Sequence, residues 1–361
     1  MTGAPYELAW YGCDLRTGNI VEELPALAPS GPLSRRLGEY TTANFTLALD
    51  GAPAGWEAAT DQGRTVLVSV DTETNIPVWS GLVLTRDGGS GPTVQLGTAT
   101  MERYFDSRYT GDYTVTQQDK ADVITGLASA VLTDGPPIVF DAPQVGSVMD
   151  VDILDGDDRT VLSALKEVMG AKGGPEWTVD TEWNASRTGF QFPLRVRPAI
   201  GTQSTQPEAV FDYPGCISEY TTSESYEAAK GATVVQARGE GEGSARLTSA
   251  AHIADSLIAG GWPRWVYRFT PASGLTDPTA LDAHAVKALA LMATGANVWS
   301  AEAVASQAPR LGRDFTIGDS VRIAVESSHR HPSGAEAVAR CWAWELDPKA
   351  NKVRPILVEE N

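Results

Sequence analysis

Short strand-like runs separated by turn signals fill residues 6–105, and this pattern restricts the fold more than any other feature of the chain. The runs alternate in hydrophobicity or are briefly apolar, as in RTVLVSVDT and IPVWSGLVLTRD. Turns follow at RTGN, DTETN and RDGGSGP. The pattern predicts a β-sandwich or a closed barrel. It also predicts an N-terminal hairpin in CDLRTGNIVEELP, residues 13–25.

The pattern changes near residue 105 to a mixture of helices and strands. A helix is predicted after Asp119, which can accept hydrogen bonds as its N-cap. DGDDRTVLSALKEVMGAKGGPEW gives a clearer helix, with Asp157 or Asp158 as its expected cap and glycines at its end. Its apolar face is expected to comprise Val161, Leu162, Leu165, Val168 and Met169.

Strands return in the last part of the chain, interrupted by a helix that starts at Asp277 and Pro278. The predicted class is therefore mainly β with an α/β middle, that is, α+β. The expected domains are an N-terminal β-barrel domain at 1–107, a mixed α/β domain at 108–212, and a second, barrel-like domain at 213–361 with a helical insertion at about 246–300.

The charge balance excludes several classes of partner. Asp and Glu number 46 against 28 Lys and Arg, for a net charge of −18. Such a field repels phosphate backbones and anionic lipid, so neither specific nucleic-acid binding nor membrane adsorption is expected. No apolar run approaches the length of a membrane span, and the N-terminus lacks the pattern of a secretory signal.

Three widely spaced cysteines, Cys13, Cys216 and Cys341, indicate free thiols in a reducing compartment and not a disulfide framework. None has a histidine beside it in the sequence, so a thiol nucleophile has no support.

No motif in the chain selects a catalytic, cofactor-binding or metal-binding residue. His329 and His331 could form a metal pair, but a surface loop is favoured because no further ligands lie nearby. DVDILDGDDRT fails the calcium-loop pattern, since Leu154 falls on a ligand position, and a helix cap explains its acids. His284 is expected to be structural. RGEGEGSAR lacks the Lys-Ser/Thr ending of a phosphate loop and is expected to be a flexible turn, and the G-x-S-x-G pattern is absent.

Several stretches together resemble the minor tail proteins, or tail-tip baseplate hubs, of long non-contractile-tailed phages (siphophages). They are CDLRTGNIVEELP, LSRRLGEYTTANFTLAL, VWSGLVLTRD, TVLSALKEVMGAKGGPEWTV, ATVVQARGEGEGSARL and FTIGDSVRIAV. The resemblance implies a virion protein at the tail tip that forms a homotrimer, with two tail-tube-like β-barrels in each copy. It implies contacts with the distal tail ring, the tape-measure protein and receptor-binding proteins, and a lumen through which DNA passes. An acidic lumen would repel that DNA.

Six side chains are the interface candidates under this hypothesis, because arginine and tryptophan are common interface anchors. Burial of the tryptophans in barrel cores is the equal alternative. The six are Arg35, Arg36, Trp79, Arg86, Trp342 and Trp344.

The predicted function is a structural, non-enzymatic hub without cofactors. The alternative is a carbohydrate-binding or cell-wall-degrading tail protein, for which a cleft with exposed tryptophan and a carboxylate pair would be needed. A metabolic enzyme is the weaker third possibility, and it would require a pocket with perturbed titratable groups.

Overall fold

The computed structural model describes residues 6–239, 243, 246–271 and 277–359. Strands far outweigh helices in these residues, which confirms the predicted class, mainly β with helices in the middle of the chain. RGEGEGSAR lies largely outside the described residues, so its flexible turn stays a prediction.

Eight strands and one short helix come from the first hundred residues. They are β1 (Leu8–Asp14), β2 (Ile20–Glu23), β3 (Leu27–Pro29), β4 (Leu33–Arg36), β5 (Thr42–Ala48), α1 (Trp56–Ala59), β6 (Thr65–Asp71), β7 (Pro77–Gly88) and β8 (Thr93–Thr100). β1 and β2 form the N-terminal hairpin predicted from CDLRTGNIVEELP. Gly18 in its turn has φ of 71°, a left-handed conformation that glycine adopts without a Cβ clash.

Seven of these strands form one curled sheet, here the first sheet, in the order β2-β1-β6-β7-β8-β5-β3. Its two edge strands, β2 and β3, are consecutive in the chain and are joined by only three residues. Within that link, Leu24 N donates to Trp10 O in β1, whereas Ala26 O accepts from Ala48 N in β5. A single bent strand, β2 continued into β3, therefore joins the two edges of the curled sheet.

The middle of the chain supplies β9 (Tyr113–Asp119), α2 (Lys120–Ala128), β10 (Ile138–Asp141), β11 (Val148–Ile153), α3 (Val161–Gly170), β12 (Glu176–Val179), β13 (Glu182–Trp183) and β14 (Phe190–Arg197). β9 pairs with β11, while β10, β14 and β12 form a small mixed sheet with β13 attached to β14. As predicted, Asp119 caps α2 by accepting from Ala121 N at 2.9 Å.

The predicted cap of α3 is wrong. Thr160 is the N-cap, and its hydroxyl accepts from Ser163 N at 3.2 Å. Asp157 accepts instead from Leu154 N at 3.0 Å and closes a short 3-10 turn. Asp158, at φ of 48°, then redirects the chain, so neither aspartate reaches the first turn of the helix.

The last part of the chain contains β15 (Val210–Tyr213), β16 (Ile217–Ser225), β17 (Val234–Ala237), β18 (His252–Ile253), α4 (Asp255–Ala259), β19 (Val266–Phe269), α5 (Pro278–Met292), β20 (Ala296–Val304), β21 (Ser320–Val325), β22 (Ala335–Asp347) and β23 (Lys352–Val358). Six of these strands form the second sheet, in the order β15-β21-β22-β23-β20-β16. β15 is parallel to β21 and every later pair is antiparallel, so β15 and β16 run in the same direction. A three-residue link joins these two edges as well.

β4 leaves the first part of the chain and pairs with the second sheet. Its residues Leu33–Arg36 lie antiparallel to the C-terminal half of β22, with Trp344 opposite Arg35. In each curled sheet one bent strand thus joins the two edges. β4 is continuous in the chain with β3 and β5 of the first sheet, and its backbone hydrogen-bonds to β22 of the second.

A smaller unit interrupts the second sheet between β16 and β20. It consists of the three-stranded sheet β18-β17-β19 and α5, which pack around a separate small core. Asp277 caps α5, with Pro278 in the first turn, as predicted. β17 starts at Val234, ahead of residue 246, where the insertion was expected to begin.

Besides the small core of the insertion, the described residues form two larger hydrophobic cores. The first is continuous between the two curled sheets and includes Trp79, Leu33 and Trp344. The second lies between the other face of the first sheet and the helices α2 and α3. β6 belongs to both cores and is buried along its whole length, which explains why TVLVSV is apolar without strict alternation.

Candidate functional site

Buried arginine–carboxylate contacts connect the two curled sheets and the middle of the chain. Arg310, in the segment before β21, donates two hydrogen bonds of 2.5 Å to Asp71 at the end of β6. Its guanidinium also lies 4.3 Å from the ring centre of Tyr6. Burial opposes ionisation of Asp71, but hydrogen bonds from Arg310 and Thr74 outweigh it, and the pKa of Asp71 is lowered.

A second buried pair joins β22 to β12. Arg340 donates to both carboxylate oxygens of Glu176, at 2.9 and 2.6 Å, and to the carbonyls of Gly318 and Ile200. Arg340 is 4% exposed and Glu176 is 8% exposed. Because both charges are buried away from water, removal of either side chain would leave the other as an uncompensated buried charge.

Arg35 connects β4 to the middle of the chain. It donates to the hydroxyl of Thr178 at 2.8 Å, to Val179 O at 2.6 Å and to Asp180 at 3.1 Å. Glu102 lies 3.6 Å away and is fully buried, and burial raises the pKa of this carboxyl in spite of Arg35. Arg310 thus joins the last part of the chain to the first sheet, while Arg340 and Arg35 join the second sheet to the middle of the chain.

Three of the six interface candidates are covered by this chain itself. Arg35 is 9% exposed, and Trp79 and Trp344 are each 1% exposed within the first core. In the isolated chain these two tryptophans therefore lie in the hydrophobic core, as the alternative interpretation proposed. Their role as contacts between subunits stays a prediction.

The other three candidates reach the surface to different degrees. Arg36 is exposed and pairs with Glu39 at 3.3 Å. Arg86 is held by Glu57 O at 2.6 Å, and Trp342 lies half-buried under the guanidinium of Arg340. Arg36 is the one among them with a largely solvated head group, so it is the most accessible of the six.

The described residues contain no group of three or more His, Cys, Asp or Glu side chains placed to hold a metal ion. The three thiols are free, as predicted from their spacing, and all three are buried. Burial raises the pKa of Cys216 to about 12, and it also raises those of Cys13 and Cys341, which makes all three unreactive at neutral pH. Within the described part of the chain, no helix combines the length and apolarity that a membrane crossing requires.

A groove of about 980 Å³ opens beside β16, where the two edges of the second sheet diverge. Tyr220 lines this groove and forms a cluster of three rings with Trp299 and His331. The ring centres of Trp299 and His331 lie 5.8 and 5.9 Å from that of Tyr220 and 5.5 Å from each other. The Tyr220 hydroxyl also lies 2.8 Å from His331 Nδ1. His331 and His329 therefore lie in a surface loop, as predicted. The groove is lined by Tyr213, Tyr220, Thr221, Thr222, Ser223, Glu224, Ser327, Ser328, His329 and Arg330.

Helix α5 of the insertion contacts the C-terminus of α3 through basic side chains. Lys287 donates to Met169 O, and His284 hydrogen-bonds with the backbone of Gly170. The last carbonyls of a helix lack partners within it, so these side chains satisfy them. Burial lowers the pKa values of both His284 and Lys287.

We expect acid to weaken the protein through His284. Its folded pKa lies below its ordinary value of 6.5, so the unfolded chain takes up the proton first. The stabilisation is complete above that ordinary value and is lost as the pH falls through the folded pKa. Urea unfolding at a series of pH values from 8 down to about 5 should show a smaller loss of stability in His284→Gln than in wild type.

His329→Gln is the matched control, because His329 is exposed in the groove loop. It should retain the pH dependence of the wild-type protein. Equal dependence in His284→Gln and wild type would contradict the assignment to His284.

The sequence matches no family model and no curated protein. Solved structures do match along nearly the whole chain. A tail protein from Neisseria meningitidis MC58 superposes with a TM-score of 0.60 at 13% identity, covering 99% of this chain and 97% of that one. The 43 kDa tail protein of prophage MuSo2 from Shewanella oneidensis gives 0.59 at 12% identity, with 98% of each chain covered.

Prophage tail protein gp18 from Listeria monocytogenes EGD-e gives a TM-score of 0.54 at 10% identity, covering 98% of this chain and 95% of that one. These three likenesses extend across both curled sheets, the middle of the chain and the insertion. The chain therefore has the fold of these tail proteins, which confirms at the level of the fold the resemblance inferred from the sequence motifs.

Proposed function

We propose that this chain is a structural protein of the phage tail tip: a homotrimeric hub that joins the distal tail ring and the tube to the tip. One observation carries the proposal. Two curled sheets, each with its edges joined by a bent strand, are locked together by β4 and share one continuous core. A chain built in this way presents two similar barrel-like units in a fixed relation.

Three such copies would place six barrel-like units around one axis, which suits a junction with a six-fold tube. In a closed ring each subunit makes the same contact with the next one, and the last subunit contacts the first. The three buried arginine contacts support this role, because a junction that bears load needs its units rigidly joined. The distal tail ring, the tape-measure protein and receptor-binding proteins are the proposed neighbours.

The charge of the chain supports a role in which DNA passes without binding. A net charge of −18 repels phosphate over the range of the Debye length. In the proposed trimer the acids that face the axis keep the DNA mobile. A basic or neutral channel wall in the assembled ring would exclude this part of the proposal.

Native mass measurement of the purified protein tests the proposed assembly. We expect a species at three times the chain mass of 38.4 kDa, without degradation of cell walls in a zymogram gel. A monomer at all concentrations would contradict the trimer. Clearing of the gel would favour the cell-wall-degrading alternative.

Glycan binding without hydrolysis is the second candidate, and one observation favours it. Trp262 and Trp265 are 40% and 52% exposed, and both pack against Tyr226 at ring-centre distances of 5.3 and 5.9 Å. Exposed aromatic faces can stack on sugar rings. This cluster lies in the insertion, away from the β4 junction, so it is compatible with the hub role.

A further inference from the structure

The outer edge of β16 presents free backbone groups to the groove beside it. Glu359 N donates to Asn297 O, so the backbone groups of Asn297 face β23. In an antiparallel strand the N–H and C=O groups of successive residues point to opposite neighbouring strands, so the backbone groups of Val298 face β16. Its partner Ser223 thus directs its N–H and C=O groups toward β20.

The residues that alternate with Ser223 have the opposite orientation. Tyr220, Thr222 and Glu224 direct their N–H and C=O groups into the groove. Within the described part of the chain, these backbone groups have no hydrogen-bond partner. Such a row of donors and acceptors is a template for another strand.

The open edge of β16 is long enough to pair with one additional strand. This edge, residues 220–225, is about 20 Å long at the rise of an extended chain. The loop at Ser327–Arg330 forms the opposite wall of the groove. The contacts of Tyr220 with Trp299 and His331 fix the position of its ring, so the groove is preformed.

The net charge of the chain, and not the rim, favours a basic occupant, since the rim pairs one acid with one arginine. Glu224 pairs across the groove with Arg330 at 3.2 Å, and both side chains are largely exposed, at 67% and 59%. An exposed ion pair of this kind contributes little to stability, so a Lys or Arg of the incoming segment can replace Arg330 as the partner of Glu224. The chain as a whole carries −18 and attracts basic segments.

We propose that this groove binds an extended, basic segment of a partner protein, which adds to the second sheet as a strand antiparallel to β16. Backbone hydrogen bonds provide the affinity in this mode, and the side chains along the groove select the sequence. The inference concerns the free edge of β16 and does not depend on the number of copies in the assembly.

A fluorescein-labelled peptide, acetyl-Lys-Val-Thr-Val-Thr-Val-Lys-amide, is the probe for fluorescence anisotropy. We expect saturable binding to the wild-type protein and to Thr222→Val, which keeps the N–H and the β-branched shape. Thr222→Pro removes the donor that faces the groove, and proline is tolerated on an outer edge. It should weaken binding about tenfold or more, equivalent to at least one hydrogen bond.

The same peptide N-methylated on alternate residues tests the proposal without altering the protein. Methylation of the residues whose N–H groups face β16 should abolish binding. Methylation of the alternate residues, whose N–H groups point away from β16, should leave binding unchanged. The absence of binding by the unmodified peptide, or equal binding of both methylated forms, would overturn the proposal. Loss of self-association in Thr222→Pro, with no peptide binding by wild type, would assign the groove to a second copy and also overturn it.

Discussion

Replacement of Arg340 by Met should lower the free energy of unfolding by about 3–5 kcal/mol, because it leaves Glu176 as an unpaired buried charge. Both side chains lie almost entirely out of solvent, and the pair joins the second sheet to the middle of the chain. Urea unfolding followed by tryptophan fluorescence measures the change.

Two further variants isolate the cause. Arg354→Met removes a surface arginine from β23, where its ion pairs with Glu302 and Glu345 are exposed, and it should cost less than about 1 kcal/mol. Arg340→Met combined with Glu176→Gln removes both charges and keeps an acceptor for Ile200 N, so it should recover much of the loss. Arg340→Met within 1 kcal/mol of wild type would contradict the account of this contact.

Trp79→Ala should also destabilise the isolated protein, by about 3–5 kcal/mol, because it leaves a large cavity in the shared core. Trp79 is 1% exposed and lies 5.4 Å from the ring of Phe45. Its indole N–H donates to Ser34 O in β4 at 3.2 Å. The side chain therefore supports the strand that links the two sheets.

Trp79→Phe separates packing from the hydrogen bond, and its cost should be smaller. Trp265→Ala is the exposed control, with an expected change below about 1 kcal/mol. The same denaturation series decides between the two roles considered for Trp79. A Trp79→Ala protein of unchanged stability that no longer self-associates would favour the interface role and contradict the core role.

Local sequence patterns predicted the strands and helices well, because their causes are local. The turn in CDLRTGNIVEELP and the caps Asp119 and Asp277 depend on residues within a few positions. The cap of α3 was missed because three aspartates precede Thr160, and only the left-handed turn at Asp158 shows that they lie outside the helix.

The contacts between segments distant in the chain could not be predicted in this way. β4 pairs with β22, about three hundred residues later in the chain, and no local pattern specifies that register. One signal was available: Arg340 interrupts an apolar strand in AVARCWAW, and a charge at such a position indicates a buried partner. The open edge of β16 likewise follows from the order of distant strands, so sequence alone did not reveal the groove.

A cryo-EM map of the intact tail containing this protein would show directly whether it is a trimeric hub. We expect three copies at the tip, with six curled sheets surrounding one passage and β4 paired with β22 in each copy. A map with this chain as single copies on the outside of the tail, or with its two sheets separated, would contradict the proposal.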